Sequence, residues 1–573
     1  MEHNLTGYPS IDKPWLKYYS DEAVNTVAPQ MSMYSYLKVH TARCKESIAV
    51  NYFGNRISFR KLLNDIDRAA AAFYAMGVKE GTVVTVCAVT TPELICSIYG
   101  LNKLGAVCNI IEPRVNIEQI MQRIIDARSE IIVLCDVFFK KLQRIIKSLD
   151  LTAIIIPMTE SMPLAKRLSI AIAHKPWHVE GLTWSNFLQY ASKDARTENV
   201  YMKNNPAVII YTGGTTGISK GVLLSNEAIN SVAQQYVVGI PLSQGKKFLN
   251  IMPPFIAYGL ICGLHMPLSA GIEVIVIPKF DPEKFASLIL KYRPQFFLGV
   301  PSHYEKLMQS REFDGIDLSF IELAGLGGDA LNSETEKNIN TFLSAHNANI
   351  RVDKGYGMTE MCSSVCTTTS RTNELGSVGA PLPLNTVAIF EPNTDKELEY
   401  GERGEICIRG PAMMLGYLNN PNETANVIKT HSDGTRWVHS QDIGYMNNHG
   451  SLFVVDRIKR MLIRPDGHNV WPSQIENVIC SHPNVSQCAV VGQKETGSIN
   501  GVLPAAFVVL NGNYSWDKTK DELIKLNYEK LPERDVAQYY YPIDSIPLTP
   551  VGKVDYQALE RIAAEKACSV LNT

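Results

Sequence analysis

Ala207-Val208-Ile209-Ile210-Tyr211-Thr212-Gly213-Gly214-Thr215-Thr216-Gly217-Ile218-Ser219-Lys220-Gly221 is an apolar run that opens into a loop of glycine, threonine and lysine. The apolar half has the length of a buried strand and is short for a helix. In the loop, Gly213, Gly214, Gly217 and Gly221 let the backbone turn its N–H groups toward one point. Thr212, Thr215 and Thr216 add hydroxyl donors, and Lys220 adds a positive charge. A cradle for a polyphosphate is the reading. The spacing does not fit Gly-x-x-x-x-Gly-Lys-Ser/Thr, so the loop is not of the Walker type and phosphoryl-transfer ATPases lose weight.

The same texture continues on both sides of the loop. Thr82–Val89 reads as a strand and Pro92–Leu104 as a helix; Glu130–Cys135 reads as a further strand. Gly271–Pro278 with Pro282–Tyr292, and Phe296–Val300 with Ser302–Ser310, repeat the alternation. Strands joined by crossover helices predict an α/β fold of doubly wound parallel sheets with helices on both faces. From about Gly376 to Val455 short β-rich runs are punctuated by Gly, Asn and Asp, as in Gly404–Arg409 and Ser451–Val455, which predicts a small antiparallel sheet or barrel. After Asp456 the pattern mixes again: a helix near Pro472–Ser481, strands near Val485–Val491 and Leu503–Leu510, and a helix over Trp516–Lys530. The expected organisation is a large domain over 1–456, with a β-rich part at 376–455, and a small α+β domain over 457–573.

Length and composition agree with this. A chain of 573 residues exceeds what one core serves, about 250 to 300 residues. Hydrophobic residues at 45% and charged residues at 20% describe an ordinary globular protein. With 55 Lys plus Arg against 57 Asp plus Glu, and no basic run, nucleic acid and anionic lipid are poor partners. No apolar stretch approaches the roughly 20 residues of a membrane span, and Met1–Pro14 lacks a secretory core. The twelve cysteines include no Cys-x-x-Cys pair, so they are expected to be reduced, buried side chains, and the expected location is cytoplasmic. Cys362 and Cys366, spaced i, i+4, would share a face if they lay on a helix.

Further motifs follow the loop in order. Gly327-Gly328-Asp329-Ala330-Leu331 offers small residues that let a backbone lie against a ring, and Gly355-Tyr356-Gly357-Met358-Thr359-Glu360 offers a ring face, a hydroxyl and a hard carboxylate. Trp437-Val438-His439-Ser440-Gln441-Asp442-Ile443-Gly444 carries a two-oxygen acceptor, Asp442, suited to a diol. Asp456-Arg457-Ile458-Lys459-Arg460, Gly467-His468-Asn469 and Pro547-Leu548-Thr549-Pro550-Val551-Gly552-Lys553-Val554-Asp555 complete the set.

Together these motifs resemble the adenylate-forming superfamily of acyl-CoA synthetases, coumarate CoA ligases, beetle luciferases and peptide-synthetase adenylation domains. The family's loop is Thr-Ser-Gly-Thr-Thr-Gly-x-Pro-Lys-Gly; this chain departs from it at Gly213 and Ser219, and has Gln441 where the family's Thr-Gly-Asp has glycine. The resemblance implies ATP bound by Thr212–Gly217 and Lys220, by Gly328 and Asp329, by Gly355, Tyr356, Gly357 and Thr359, and by Asp442 and Arg457. Glu360 would hold Mg²⁺, and Thr216, Glu360 and Lys553 would be the catalytic set. Lys459 is the implied hinge of a mobile small domain, and Gly467 the residue lining the path of coenzyme A.

The implied reaction is carboxylate plus ATP to acyl-AMP and pyrophosphate, then thiol plus acyl-AMP to thioester and AMP. Ile256 and Tyr258, in Pro253-Pro254-Phe255-Ile256-Ala257-Tyr258-Gly259, fall at the implied acyl pocket. Peptide-synthetase adenylation domains usually carry Asp at the place of Ile256 to pair with an α-ammonium, and burying an unpaired ammonium costs several kcal/mol. The expected substrate is therefore an apolar acid, fatty or aryl, and not an α-amino acid. Only 20 residues follow Lys553, so the thiol is expected from outside: coenzyme A, or alternatively a separate acyl carrier protein. The rival of another class is a non-catalytic nucleotide-binding protein, against which Lys553, Glu360 and Asp442 count.

Overall fold

The computed structural model describes residues 5–173, 181–191, 197, 199–212, 219–240, 242–494, 501–512, 514–549 and 552–569. Two large sheets form the body. In the first, strands run in the order Gly416–Tyr417, Gly221–Ser225, Pro206–Tyr211, Val107–Ile110, Val83–Cys87, Ile131–Cys135, Thr152–Ile156 and Leu182–Thr183. From Pro206–Tyr211 onward all neighbours are parallel. Such strands are covered on both faces, so Ile131–Cys135 is buried throughout and shows no alternation of polar and apolar residues.

The second sheet has nine strands, and its run Asp353–Tyr356, Leu323–Leu326, Phe296–Gly299, Lys247–Asn250, Glu273–Val276, Ile48–Tyr52 is parallel. Its crossover helices start where the chain supplies caps. Thr91 Oγ1 accepts the Leu94 N–H at 3.1 Å ahead of Pro92–Lys103, with proline at the first position, and Ser58 Oγ caps Phe59–Ala75. A third, antiparallel sheet of five strands spans Thr386–Phe390 to Leu452–Arg457. The β-rich stretch is thus a small antiparallel sheet, as its punctuation predicts.

Beyond Arg460 the chain builds a core of its own. The strands Val485–Gln493, Leu503–Leu510 and Tyr539–Pro542 form one sheet. Ile475, Ile479 and Leu523 pack on one face with Val490 and Val508, while Leu559 and Ala563 pack on the other with Phe507. The fold is therefore α/β, a large N-terminal domain followed by a smaller α+β C-terminal domain. Cys362 and Cys366 do not share a helix. The helical turn stops at Met361, Cys362 takes φ 52°, and Cys366 lies in the strand Cys366–Thr367. Both are buried and free, as are eight more of the eleven described cysteines, Cys488 being partly exposed. None of the described helices is long and apolar enough to cross a membrane.

Candidate active site

The motif residues gather where parallel strands end. Gly327 and Gly328 leave the end of Leu323–Leu326, and Gly357 follows Asp353–Tyr356, so both loops open at the carboxyl edge of the sheet, the usual ligand position in such folds. With residues of the third sheet and of the C-terminal domain they line one cleft of about 2720 Å³. Gly357 is required by close approach: a Cβ there would lie 1.5 Å from the Ser363 carbonyl oxygen.

Asp442 and Arg457 are cross-strand partners on Arg436–Met446 and Leu452–Arg457, and Arg457 Nε lies 3.1 Å from Asp442 Oδ1. Tyr356 donates its O–H to Asp442 Oδ2 at 2.7 Å. Burial pushes the Asp442 carboxyl up, with Arg457 and Tyr356 pulling against it. Gln441 takes φ 62°, the left-handed region that glycine adopts freely, and its N–H is held by Glu405 Oε1 at 3.1 Å. Glu405 Oε2 in turn lies 2.9 Å from His439 Nδ1.

Glu360 is buried and keeps its Oε1 on the Tyr417 hydroxyl at 2.6 Å, while Oε2 has no hydrogen-bond partner among the described residues. A hard carboxylate oxygen on the wall of the cleft suits Mg²⁺. Thr359 lines the cleft beside it.

The phosphate-loop glycines and threonines Gly213, Gly214, Thr215, Thr216 and Gly217 lie outside the described residues. The neck of the loop is described. Thr212 N–H donates to Lys220 C=O at 3.0 Å and Ser219 Oγ–H to Thr212 C=O at 2.6 Å, so Ser219 closes the neck with a hydroxyl. The loop joins antiparallel strands, Pro206–Tyr211 and Gly221–Ser225, and leads into a strand, unlike a Walker loop, which opens a helix. Lys220 pairs with Glu423 and lies 5.0 Å over the Tyr417 ring.

Lys553 reaches the same cleft from the C-terminal domain. Asp329 Oδ2 accepts the Val554 N–H at 3.1 Å, and Ser302 Oγ–H donates to Gly552 C=O at 3.0 Å. Burial pushes the Lys553 ammonium down, opposed by the charge of Asp329. Lys459 lies in the turn Ile458–Arg460 with its side chain exposed, between Arg457 on Asp442 and Arg460, which pairs with Glu476 at 2.6 Å. Gly467 sits in a hairpin turn at φ 81° and is not among the cleft residues. Ile256 and Tyr258 line the cleft, Tyr258 opening a wide helical segment, Tyr258–His265. The motifs did not flag Tyr417, Glu423 or Ser302. Tyr417 enters through the two-residue strand Gly416–Tyr417, whose pairing with Val222 and Leu223 leaves no periodic signal, and Glu423 lies in the short helix Pro421–Val427 that follows.

The comparisons agree with this geometry. The family model described as AMP-binding enzyme matches residues 37–418, and that of the AMP-binding enzyme C-terminal domain matches 474–553. A long-chain-fatty-acid–CoA ligase of Bacillus subtilis is 29% identical over 558 residues, 95% of this chain and 96% of that one. A 4-coumarate-CoA ligase of Narcissus pseudonarcissus is 28% identical over 543 residues, 93% of each. Among solved structures, ATP-bound MatB from Rhodopseudomonas palustris has a TM-score of 0.81 at 23% identity, covering 94% of this chain and 100% of its own. A benzoate CoA ligase from Burkholderia xenovorans has a TM-score of 0.78 at 20% identity, covering 92% and 99%; at these identities the likeness is one of fold. With a family model matched over more than half its length, the chain belongs to the AMP-binding enzymes, the adenylate-forming superfamily that its motifs resemble.

Proposed function

We propose that the protein is an AMP-forming acid–thiol ligase that activates an apolar, fatty or aryl, carboxylic acid and delivers it to coenzyme A. The observation that carries the reading is the meeting of Lys553, Asp329, Arg457, Asp442 and Glu360 around one cleft, although they come from both domains. A carboxylate oxygen of the acid attacks the α-phosphorus of ATP, the bond to pyrophosphate breaks, and acyl-AMP remains. Two anions must approach, so charge neutralisation is the main requirement. Lys553 supplies it at the reacting oxygens, and Lys220 with the loop donors from Thr212 to Gly217, Thr216 included, at the leaving phosphates. Glu360 is the residue that would hold Mg²⁺, which offsets polyphosphate charge when bound. Asp442 accepts from the ribose hydroxyls, and Tyr356, Gly328, Gly355 and Gly357 flank the adenine.

In the second half-reaction the thiol sulfur attacks the acyl carbonyl, AMP leaves and the thiol proton passes to solvent. Lys553 occupies the cleft in the structure and Gly467 stands away from it, so this step requires the segment after Arg457 to turn at Lys459 and bring Gly467 in. Relatives that carry fatty-acid and coumarate CoA ligase names support the substrate class. A pyrophosphate-release screen over carboxylic acids, with and without coenzyme A, tests the reading. Release that depends on an apolar acid, and thioester formation with release of AMP only when coenzyme A is added, is expected; release without acid, or none with any acid, contradicts it.

A further inference from the structure

We infer that Asp353 is a specificity residue in the acyl pocket, and that the preferred acid carries a hydrogen-bond donor, a hydroxyl or an ammonium, at a distance from its carboxylate. The inference rests on the ligase reading above and refines its substrate class. Three parallel strands present aligned rows to the cleft. Phe296 pairs with Leu323, and two residues further along Leu298 pairs with Gly325, which pairs with Asp353. In parallel strands such partners point to the same face, and residues i and i+2 share it. Phe296, Leu298, Leu323, Gly325 and Asp353 all line the cleft. The wall is therefore apolar or bare except at one point, where a carboxyl group stands.

Asp353 lies two residues before Gly355, about 7 Å along the strand at the usual rise. Gly355 and Gly327 mark the level of the adenylate site, with Tyr258 against Gly327. The carboxyl is thus set about two residues below the level at which the adenylate would sit, in the same cleft that Ile256 lines. Its orientation is fixed: Thr368 Oγ1 accepts the Lys354 N–H at 2.8 Å and donates to Asp353 Oδ1 at 3.3 Å. Oδ2 has no hydrogen-bond partner among the described residues. Lys354 makes no hydrogen bond to it and acts on it only through its charge, because that side chain points to the opposite face and is held by Glu336 at 2.5 Å.

A largely buried carboxyl with an open oxygen is costly unless a donor reaches it. Burial pushes its pKa up to about 7, with the Thr368 hydroxyl and the Lys354 charge pulling against it. A distal hydroxyl or ammonium on the acid supplies that partner, whereas an all-apolar tail leaves the carboxyl buried against methylene groups. The glycine at 325 keeps the position next to Asp353 free of a side chain of its own.

The test uses the full chain and pairs of acids equal in size, such as para-hydroxyphenyl against para-methylphenyl alkanoates and ω-hydroxy or ω-amino against ω-methyl alkanoates. kcat/KM for pyrophosphate release is measured for the parent, Asp353→Asn and Asp353→Leu. At least one donor-bearing acid should exceed its methyl partner by tenfold or more with the parent. Asp353→Leu should reverse that preference. Asp353→Asn, which still accepts a hydrogen bond, should keep part of the hydroxyl preference and lose the ammonium preference. Equal ratios in parent and Asp353→Leu, with both active, overturn the inference and leave the ligase reading intact. Absence of acid-dependent pyrophosphate release from the parent overturns both.

Discussion

Gln441 holds a conformation that costs a side chain about 1 kcal/mol, at a position where the superfamily motif has glycine. The cost is offset locally by the Glu405 carboxylate, which takes the Gln441 N–H and is itself braced by His439. Gln441→Gly should therefore raise stability by up to about 1 kcal/mol, read as a shift of the denaturant midpoint at constant slope. A loss of stability would mean that the side chain contributes more than the backbone strain costs. Ile256 is the second residue whose identity matters. Ile256→Asp places a carboxylate against the acyl chain and should cost several kcal/mol in kcat/KM with apolar acids if the charge stays unpaired. Unaltered kinetics would move the acyl chain elsewhere. Residues of this kind were legible in the sequence because their chemistry is uncommon at that spacing. Tyr417, Ser302 and Asp353 were not, since a tyrosine, a serine and an aspartate carry no signal until the fold brings them to one cleft, and Glu423 shows itself only as the partner of Lys220.

At the scale of elements, the strands and crossover helices fall within a residue or two of their sequence reading, because apolar run length and caps determine them. Thr82–Val89 becomes Val83–Cys87, and Trp516–Lys530 is unchanged. Elements with weak pattern escaped: the strand Tyr539–Pro542 and the helix Tyr556–Ser569, which packs only a few apolar residues, Leu559 and Ala563 among them, into one core patch. Cys362 and Cys366 lie on no common helix because the backbone turns left-handed at Cys362 and Ser363. The turn Ile458–Arg460 is the element on which the two-step reading depends. Asp456 and Arg457 end the strand paired with Arg436–Met446, Arg457 being held on the body through Asp442, while Arg460 is held on the C-terminal side by Glu476 at 2.6 Å. A rotation between the two therefore falls on Ile458 and Lys459. Lys459→Pro fixes φ near −65° and restricts the preceding residue, so it should fold normally, keep most pyrophosphate release and lose thioester formation. Parent-like thioester formation from supplied acyl-AMP and coenzyme A would place the pivot elsewhere or remove it.

Over the whole molecule, the body and the C-terminal domain bury separate cores and meet at the cleft through a few polar contacts. These are Ser302 on Gly552, Asp329 on Val554 and Glu305 on Gln487. Contacts of that kind are cheap to break, which suits a domain that changes pose between half-reactions. They also hold Lys553 where a carboxylate and an α-phosphate would meet, and the central claim is that this lysine serves adenylation alone. The most direct measurement is to determine, for the parent and for Lys553→Ala, acid-dependent pyrophosphate exchange into ATP and thioester formation from supplied acyl-AMP with coenzyme A. The account predicts a loss of about 10² to 10³ in exchange and parent-like thioester formation. Equal losses in both half-reactions, or an exchange rate within tenfold of the parent, would contradict it.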